Sequence, residues 1–188
     1  MPMATLVPHY SAAEIRRFPD DRVRYEVIRG ELFVTPAPGA PHQRAVRDLC
    51  ALLHGYLTTH HLGEALLAPF EVEFAADSAV QPDVLALLDG DQPHLTRKRL
   101  YGSPPPALVV EIVSHSSRRT DRIQKRQLYQ EACVPEYWIV DIDQRRVERW
   151  RPQDTAPTVF TDAMEWQPVA EVPPLSINLA RLFEIVGR

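Results

Sequence analysis

The segment PALVVEIVSHSSRRTDRIQKRQLYQ, Pro106 to Gln130, sets one carboxylate, Glu111, inside an apolar run. Burying a charged carboxylate is costly unless it is paired or bound to a metal. Upstream, VQPDVLALL repeats the anomaly: Asp83 opens an apolar run directly after Pro82, a position where a strand tolerates proline. If the two runs pair as strands, both carboxylates converge at one end of a sheet. Such carboxylates repel, and a hard divalent cation resolves the repulsion. Mg²⁺ takes oxygen ligands and keeps several waters, which leaves room for a phosphate oxygen and an attacking water. The blander alternative is that Asp83 caps a turn and Glu111 pairs with an arginine.

A lysine is the third candidate. Of 21 basic residues only Lys98 and Lys125 are lysine. A chain so rich in arginine would supply arginine where any cation serves, and lysine differs in that its pKa shifts readily. Lys125 falls in a helical stretch where Asp121, Leu128, Tyr129 and Ala132 lie three, four or seven residues away, on the same face. That face carries Leu and Tyr, so it points inward and brings Lys125 toward the end of the Glu111 strand. The alternative is a surface lysine paired with Asp121.

Other residues are accessory candidates. His42 opens an apolar helical stripe and faces the same end, to touch phosphate, move a proton or serve structure. Glu26 and Glu31 flank a hairpin turn as extra metal ligands, with Glu31 favoured. Asp121 orients Lys125 or favours the helix N-terminus rather than binding metal; Tyr129 is a core residue before it is catalytic. Ser114 and Ser116 lack a matched His–Asp set. His54, His60 and His61 lack zinc-site spacing.

The elements that must position these residues are legible in outline. Ser11–Phe18 reads as a short helix and YEVIRGELFV as a hairpin turning at Arg29-Gly30. From Pro41 the stripe Ala45, Val46, Leu49, Cys50, Leu53, Tyr56, Leu57 predicts a helix. Strands follow at Leu66–Phe74, Pro82–Leu88 and Ala107–Val113. A helix covers Arg118–Ala132, then come strands Glu136–Asp141 and Arg145–Trp150, a weaker β region and a helix at Leu179–Ile185. In the Glu111 strand Val109, Glu111 and Val113 share one face and Leu108, Val110 and Ile112 the other, as in a strand covered on both sides. The mixture predicts an α/β (α+β) fold, a central mixed sheet flanked by helices.

The 188 residues suit a single domain spanning 1–188, with 45% apolar and 24% charged residues, ordinary for a globular chain. No apolar run is long enough to span a bilayer, and no membrane partner is expected. The N-terminus lacks the pattern of a signal peptide; with two cysteines in predicted helices, the expected location is cytoplasmic. Net charge is −4, but Arg97–Arg151 carries +5 and the remainder −9. Bulk coating of nucleic acid is disfavoured, while a locally basic half suits a polyanion.

The order PD, an apolar strand holding Glu, then a helix with Lys resembles the PD-(D/E)XK nuclease superfamily, the restriction-endonuclease-like fold. Within it, the chain is similar to a large bacterial endonuclease family abundant in cyanobacteria and once catalogued as of unknown function. YEVIRGEL, APHQRAVRDL, VQPDV, PPALVVEIVSHSS, TDRIQKRQLYQ and VPEYWIVD carry the likeness, from about Tyr25 to Trp150. It departs from the superfamily where the usual lysine two residues after Glu111 is Val113, and Lys125 fits a place to which that lysine has moved. It departs from the family at His115, often Pro, and at Cys133, often Gly.

The resemblance implies that Asp83 and Glu111, together with the backbone carbonyl of Ile112, bind Mg²⁺, with Mn²⁺ as substitute. Lys125 would orient or deprotonate the water. It further implies DNA phosphodiester hydrolysis leaving a 5′-phosphate, and a homodimer able to cut both strands. A catalytically silent binding or scaffold protein, and a metal-dependent hydrolase of RNA or small phosphoesters, are the other two readings.

Overall fold

The computed structural model describes residues 8–19, 21, 23–90, 95–96, 98–102, 104–113 and 118–186, without the side chains of Arg118 and Ile185. Ser114, His115 and Ser116 lie outside the described residues.

The chain enters through α1 (Ala12–Ile15), closed by a capping box between Ser11 and Glu14, which satisfies otherwise orphaned backbone N–H groups. The hairpin forms as β1 (Arg24–Ile28) and β2 (Glu31–Thr35). Its central residues Arg29 and Gly30 have φ of 51° and 79°, the double positive φ of a two-residue turn that matches strand twist. The long helix is α2 (Ala40–Thr59), with Pro41 in its first turn and the expected stripe buried from Ala45 to Leu57 except for the half-buried Val46.

The structure differs at Leu66–Phe74, expected as one strand. The segment breaks at Pro69 into β3 (Gly63–Leu67) and β4 (Glu71–Ala75), which join different sheets. Proline lacks the N–H a ladder needs and fixes its own φ, so the strand ends there and the chain changes sheet. Next come β5 (Ser78–Val80), β6 (Val84–Leu88), β7 (Arg99–Tyr101) and β8 (Leu108–Val113).

The Arg118–Ala132 region is helical but not uniformly α. The short α3 (Arg118–Thr120) passes through a π-helical turn (Asp121–Lys125) into α4 (Arg126–Glu131). Within it, the Arg126 N–H reaches back to the Asp121 carbonyl. α4 ends on Cys133 at φ 56°, with Val134 N–H on the Tyr129 carbonyl and Cys133 N–H on that of Gln130. This is the Schellman closure that favours glycine, so the residue that departs from the family sits where a side chain is strained. Then follow β9 (Glu136–Asp141), β10 (Arg146–Trp150), β11 (Thr158–Phe160), β12 (Ala163–Trp166), β13 (Leu175–Asn178) and α5 (Leu179–Val186).

The central sheet is mixed, in the order β11-β10-β9-β8-β6-β3; β8 and β9 run parallel, β6 and β8 antiparallel. Leu108, Val110 and Ile112 pack with Leu49 and Leu53 of α2 and Phe183 of α5. The opposite face of β8, Val109 and Val113, meets Leu128 and Tyr129 of α4 and Ile28 and Val80. Those last two belong to a second sheet, β2-β1-β5-β4-β7. The α/β architecture is as expected, but helices alone do not flank the central sheet: the second sheet supplies part of the cover, and with it part of the site. Among the described residues no helix is long and apolar enough to cross a membrane.

Candidate active site

β6 and β8 pair with Val84 opposite Val110. Continuing that register by one residue sets Asp83 opposite Glu111, and opposed residues of an antiparallel pair point to the same face. Both carboxylates are 2% exposed and both line one cleft of about 350 Å³.

Each carboxylate carries its own cation. Lys125 Nζ lies 2.9 Å from Glu111 Oε1 and 3.0 Å from Glu26 Oε1, with Asp121 Oδ1 at 3.8 Å. The helix therefore delivers Lys125 to the site, not to the surface. Tyr129 donates its hydroxyl to the same Oε1 of Glu111 at 2.8 Å, so this core residue also touches the site. Among the described residues no hydrogen bond reaches Glu111 Oε2. Asp83 is held by Arg24, Nη1 to Oδ1 at 3.0 Å. Its Oδ2 meets His42 Nε2 at 3.0 Å and accepts the Ile112 N–H at 2.9 Å. N–H and C=O of one strand residue point to the same edge, so the Ile112 carbonyl is turned toward the cleft side as well. The Nδ1 of His42 is buried without a partner among the described residues.

These contacts set the electrostatics. Burial alone would raise Asp83, but the His42 bond, the Arg24 charge and the Ile112 N–H outweigh it and hold the carboxyl down at about 2. Burial, seconded by Asp83, Asp121 and Glu26, pushes Glu111 above the usual carboxylate range, while Lys125 pulls the other way. Burial would lower Lys125; Glu111, Glu26 and Asp121 outweigh it and keep the ammonium above its ordinary value. These three carboxylates favour the charged, donating form of Lys125.

Two accessory expectations change rank. Glu26, on the inward face of β1, is 2% exposed and bonds both Lys125 and the Gln81 N–H. Glu31 is exposed at the hairpin tip and does not line the cleft. Two residues along a strand span nearly 7 Å, and within β2 the cleft is reached at Phe33–Thr35. Arg24 was missed. Its signal was the spacing Arg24-x-Glu26-x-Ile28, which puts all three on one strand face. Among nineteen arginines it did not stand out. Within the described part of the basic stretch 97–151, Arg122 binds Asp141 and Glu148, Arg146 binds Glu148, and Arg151 binds Glu136. His54 accepts the Ala65 N–H.

The model of the Uma2 family, described as "putative restriction endonuclease", matches residues 12–180. The chain belongs to the Uma2 family. No functionally curated protein matches it. Its fold is similar to that of a crystal structure described as "a putative nuclease belonging to DUF820 from Anabaena variabilis". The TM-score is 0.75 at 18% identity, covering 94% of this chain and 99% of that one. The fold likeness thus spans nearly all of the Uma2 chain.

The donor set suits a hard divalent cation. Among the described residues no three His, Cys, Asp or Glu groups close into an all-protein metal cage. Mg²⁺ asks for less, usually one or two carboxylates with waters and phosphate oxygens. Glu26, Asp83, Glu111 and Asp121 line the cleft against two permanent cations, Arg24 and Lys125, a formal deficit of two that one divalent ion makes good.

Proposed function

We propose that this Uma2 chain is a Mg²⁺-dependent endonuclease that hydrolyses DNA phosphodiester bonds. The observation that carries the reading is the contact of Lys125 with Glu111 in the cleft that Asp83 shares. Asp83, Glu111 and the Ile112 carbonyl would hold the ion. When bound, the metal supplies a water of lowered pKa and neutralises phosphate charge.

The protein's own groups do the rest. Glu111 keeps one oxygen for Lys125 and Tyr129 and leaves the other for the ion. Lys125, fixed by Glu26 and Glu111, donates to the attacking water and stabilises the charge that builds on the phosphoryl oxygens. Glu26 holds the lysine's direction, so a small displacement of the water is resisted. Burial of the trio favours chemistry over mere binding, because a silent scaffold has no use for four buried carboxylates and a buried lysine.

The test is a panel of supercoiled DNA, single-stranded DNA, RNA and a generic phosphodiester, each with and without Mg²⁺. DNA nicked or cut only with Mg²⁺ supports the proposal. Cleavage confined to RNA or the small diester reassigns the substrate, and no cleavage of any member leaves a binding protein.

A further inference from the structure

Arg24 sits in an unusual place for a residue that only steadies a strand. Its side chain is 19% exposed and its charge faces Asp83, 3.0 Å away, in a cleft that a divalent cation would enter. Only Nη1 is engaged; among the described residues no hydrogen bond takes its other N–H groups. Arg24 also lies on the wall shared with an adjoining groove of about 870 Å³, which His42 and Asp83 line as well. Arg24 therefore borders open space on both sides of the site.

A guanidinium and a divalent cation compete for Asp83. They repel each other, and each is satisfied by the same oxygens. A phosphodiester removes the conflict, because its planar pair of non-bridging oxygens matches the arginine fork. We propose that Arg24 is a two-position residue: it neutralises Asp83 while the cleft lacks metal, and passes to a non-bridging oxygen of the substrate phosphodiester when the cation takes Asp83. This rests on the nuclease reading and adds to it a substrate-binding residue and a coupling. Metal and phosphodiester each pull Arg24 off the carboxylate, so each strengthens the binding of the other by the same factor.

The experiment measures two affinities in the wild type, Arg24→Gln and Arg24→Lys, all at matched folded fraction. The first is the affinity for Mg²⁺ alone, by calorimetry. The second is that for a DNA oligonucleotide made uncleavable by a methylene in place of the bridging 3′ oxygen, which keeps both non-bridging oxygens, with and without Mg²⁺. Arg24→Gln should bind Mg²⁺ about tenfold more tightly, since a competing positive charge has left. It should bind the oligonucleotide about tenfold more weakly, with the mutual strengthening lost. Arg24→Lys, which keeps the charge and guards against loss of fold, should leave Mg²⁺ affinity near wild type and still weaken the oligonucleotide. A purely structural arginine would weaken both ligands together, and that result overturns the proposal. Wild type that binds Mg²⁺ while Arg24→Gln binds it no more tightly overturns the exchange alone. Wild type that takes up no Mg²⁺ overturns the metal reading of the cleft, and the exchange with it.

Discussion

Lys125 Nζ and Glu111 Oε1 lie 2.9 Å apart, both side chains nearly sealed from solvent. One comes from a helical turn and the other from the centre of the sheet. The pair joins the two structural layers at the point where the chemistry is proposed.

Lys125→Arg should preserve the charge and lose most cleavage. The lysine is 3% exposed and ringed by three carboxylates, so a larger planar head must displace the water it orients. A misplacement of about 1 Å costs on the order of a hundredfold. Lys98→Arg, at an exposed position, is the control. Rates for both at matched folded concentration decide: Lys125→Arg within a few-fold of wild type would mean that charge alone suffices.

Asp83→Asn should cost stability as well as activity. Without the carboxylate, the guanidinium of Arg24 keeps its partial burial and loses its partner. Breaking such a pair costs about 3 kcal/mol. Urea denaturation gives the loss, and melts with and without Mg²⁺ should show any metal-induced stabilisation of the wild type gone in the variant. A variant as stable as wild type would show that Arg24 does not depend on Asp83.

Acid stability follows from the same carboxyl. Its folded pKa, about 2, is depressed below the ordinary 3.8, so it contributes stability that is present above about pH 4. That contribution is lost as pH falls through 4 toward 2, by about 2 kcal/mol. Glu111 is shifted upward and titrates above that window, where it adds no slope. Denaturation free energies between pH 4 and 2 should fall more steeply in wild type than in Asp83→Asn; parallel slopes would refute the assignment.

Arg122→Ala should separate structure from function. Arg122 bridges Asp141 and Glu148, whose side chains are 1% and 6% exposed, and does not line the cleft. Leaving two buried carboxylates short of a cation costs roughly 3 kcal/mol, although Arg146 still reaches Glu148. Cleavage per folded molecule should not change. A fall in that specific rate would tie the ion cluster to the site.

Cys133→Gly should stabilise the protein by about 0.5–1 kcal/mol. The residue closes α4 at φ 56°, which glycine adopts without strain, and its thiol is exposed. A rise in melting temperature checks it; an unchanged or lower value would mean that the thiol makes a compensating contact.

Legibility in the sequence followed the physics of each signal. The two apolar strands with their acidic interruptions declared both the β6–β8 pair and the carboxylates, because an ion in a greasy run has few reasons to be there. Lys125 was legible through rarity and helical spacing. Arg24 was not: a period of two over five residues marks a face but does not say what that face meets. The rank of Glu26 over Glu31 depended on which end of the hairpin reaches the cleft, a tertiary fact. The second sheet was hidden because β3 and β4 read as one β segment until Pro69 is given its full weight as a break.

The π-helical turn has a consequence for chain length. An α-helix rotates by about 100° for each residue, so one insertion or deletion between Asp121 and Arg126 would restore or disturb the winding at the expense of direction. Everything after the change would keep its helical character, yet Lys125 would swing away from Glu111 or the Leu128–Tyr129 face would leave the sheet. A change of length in this segment alters the phase of all that follows, which makes DRIQK a spacer of fixed length that carries Lys125 itself and leads into α4.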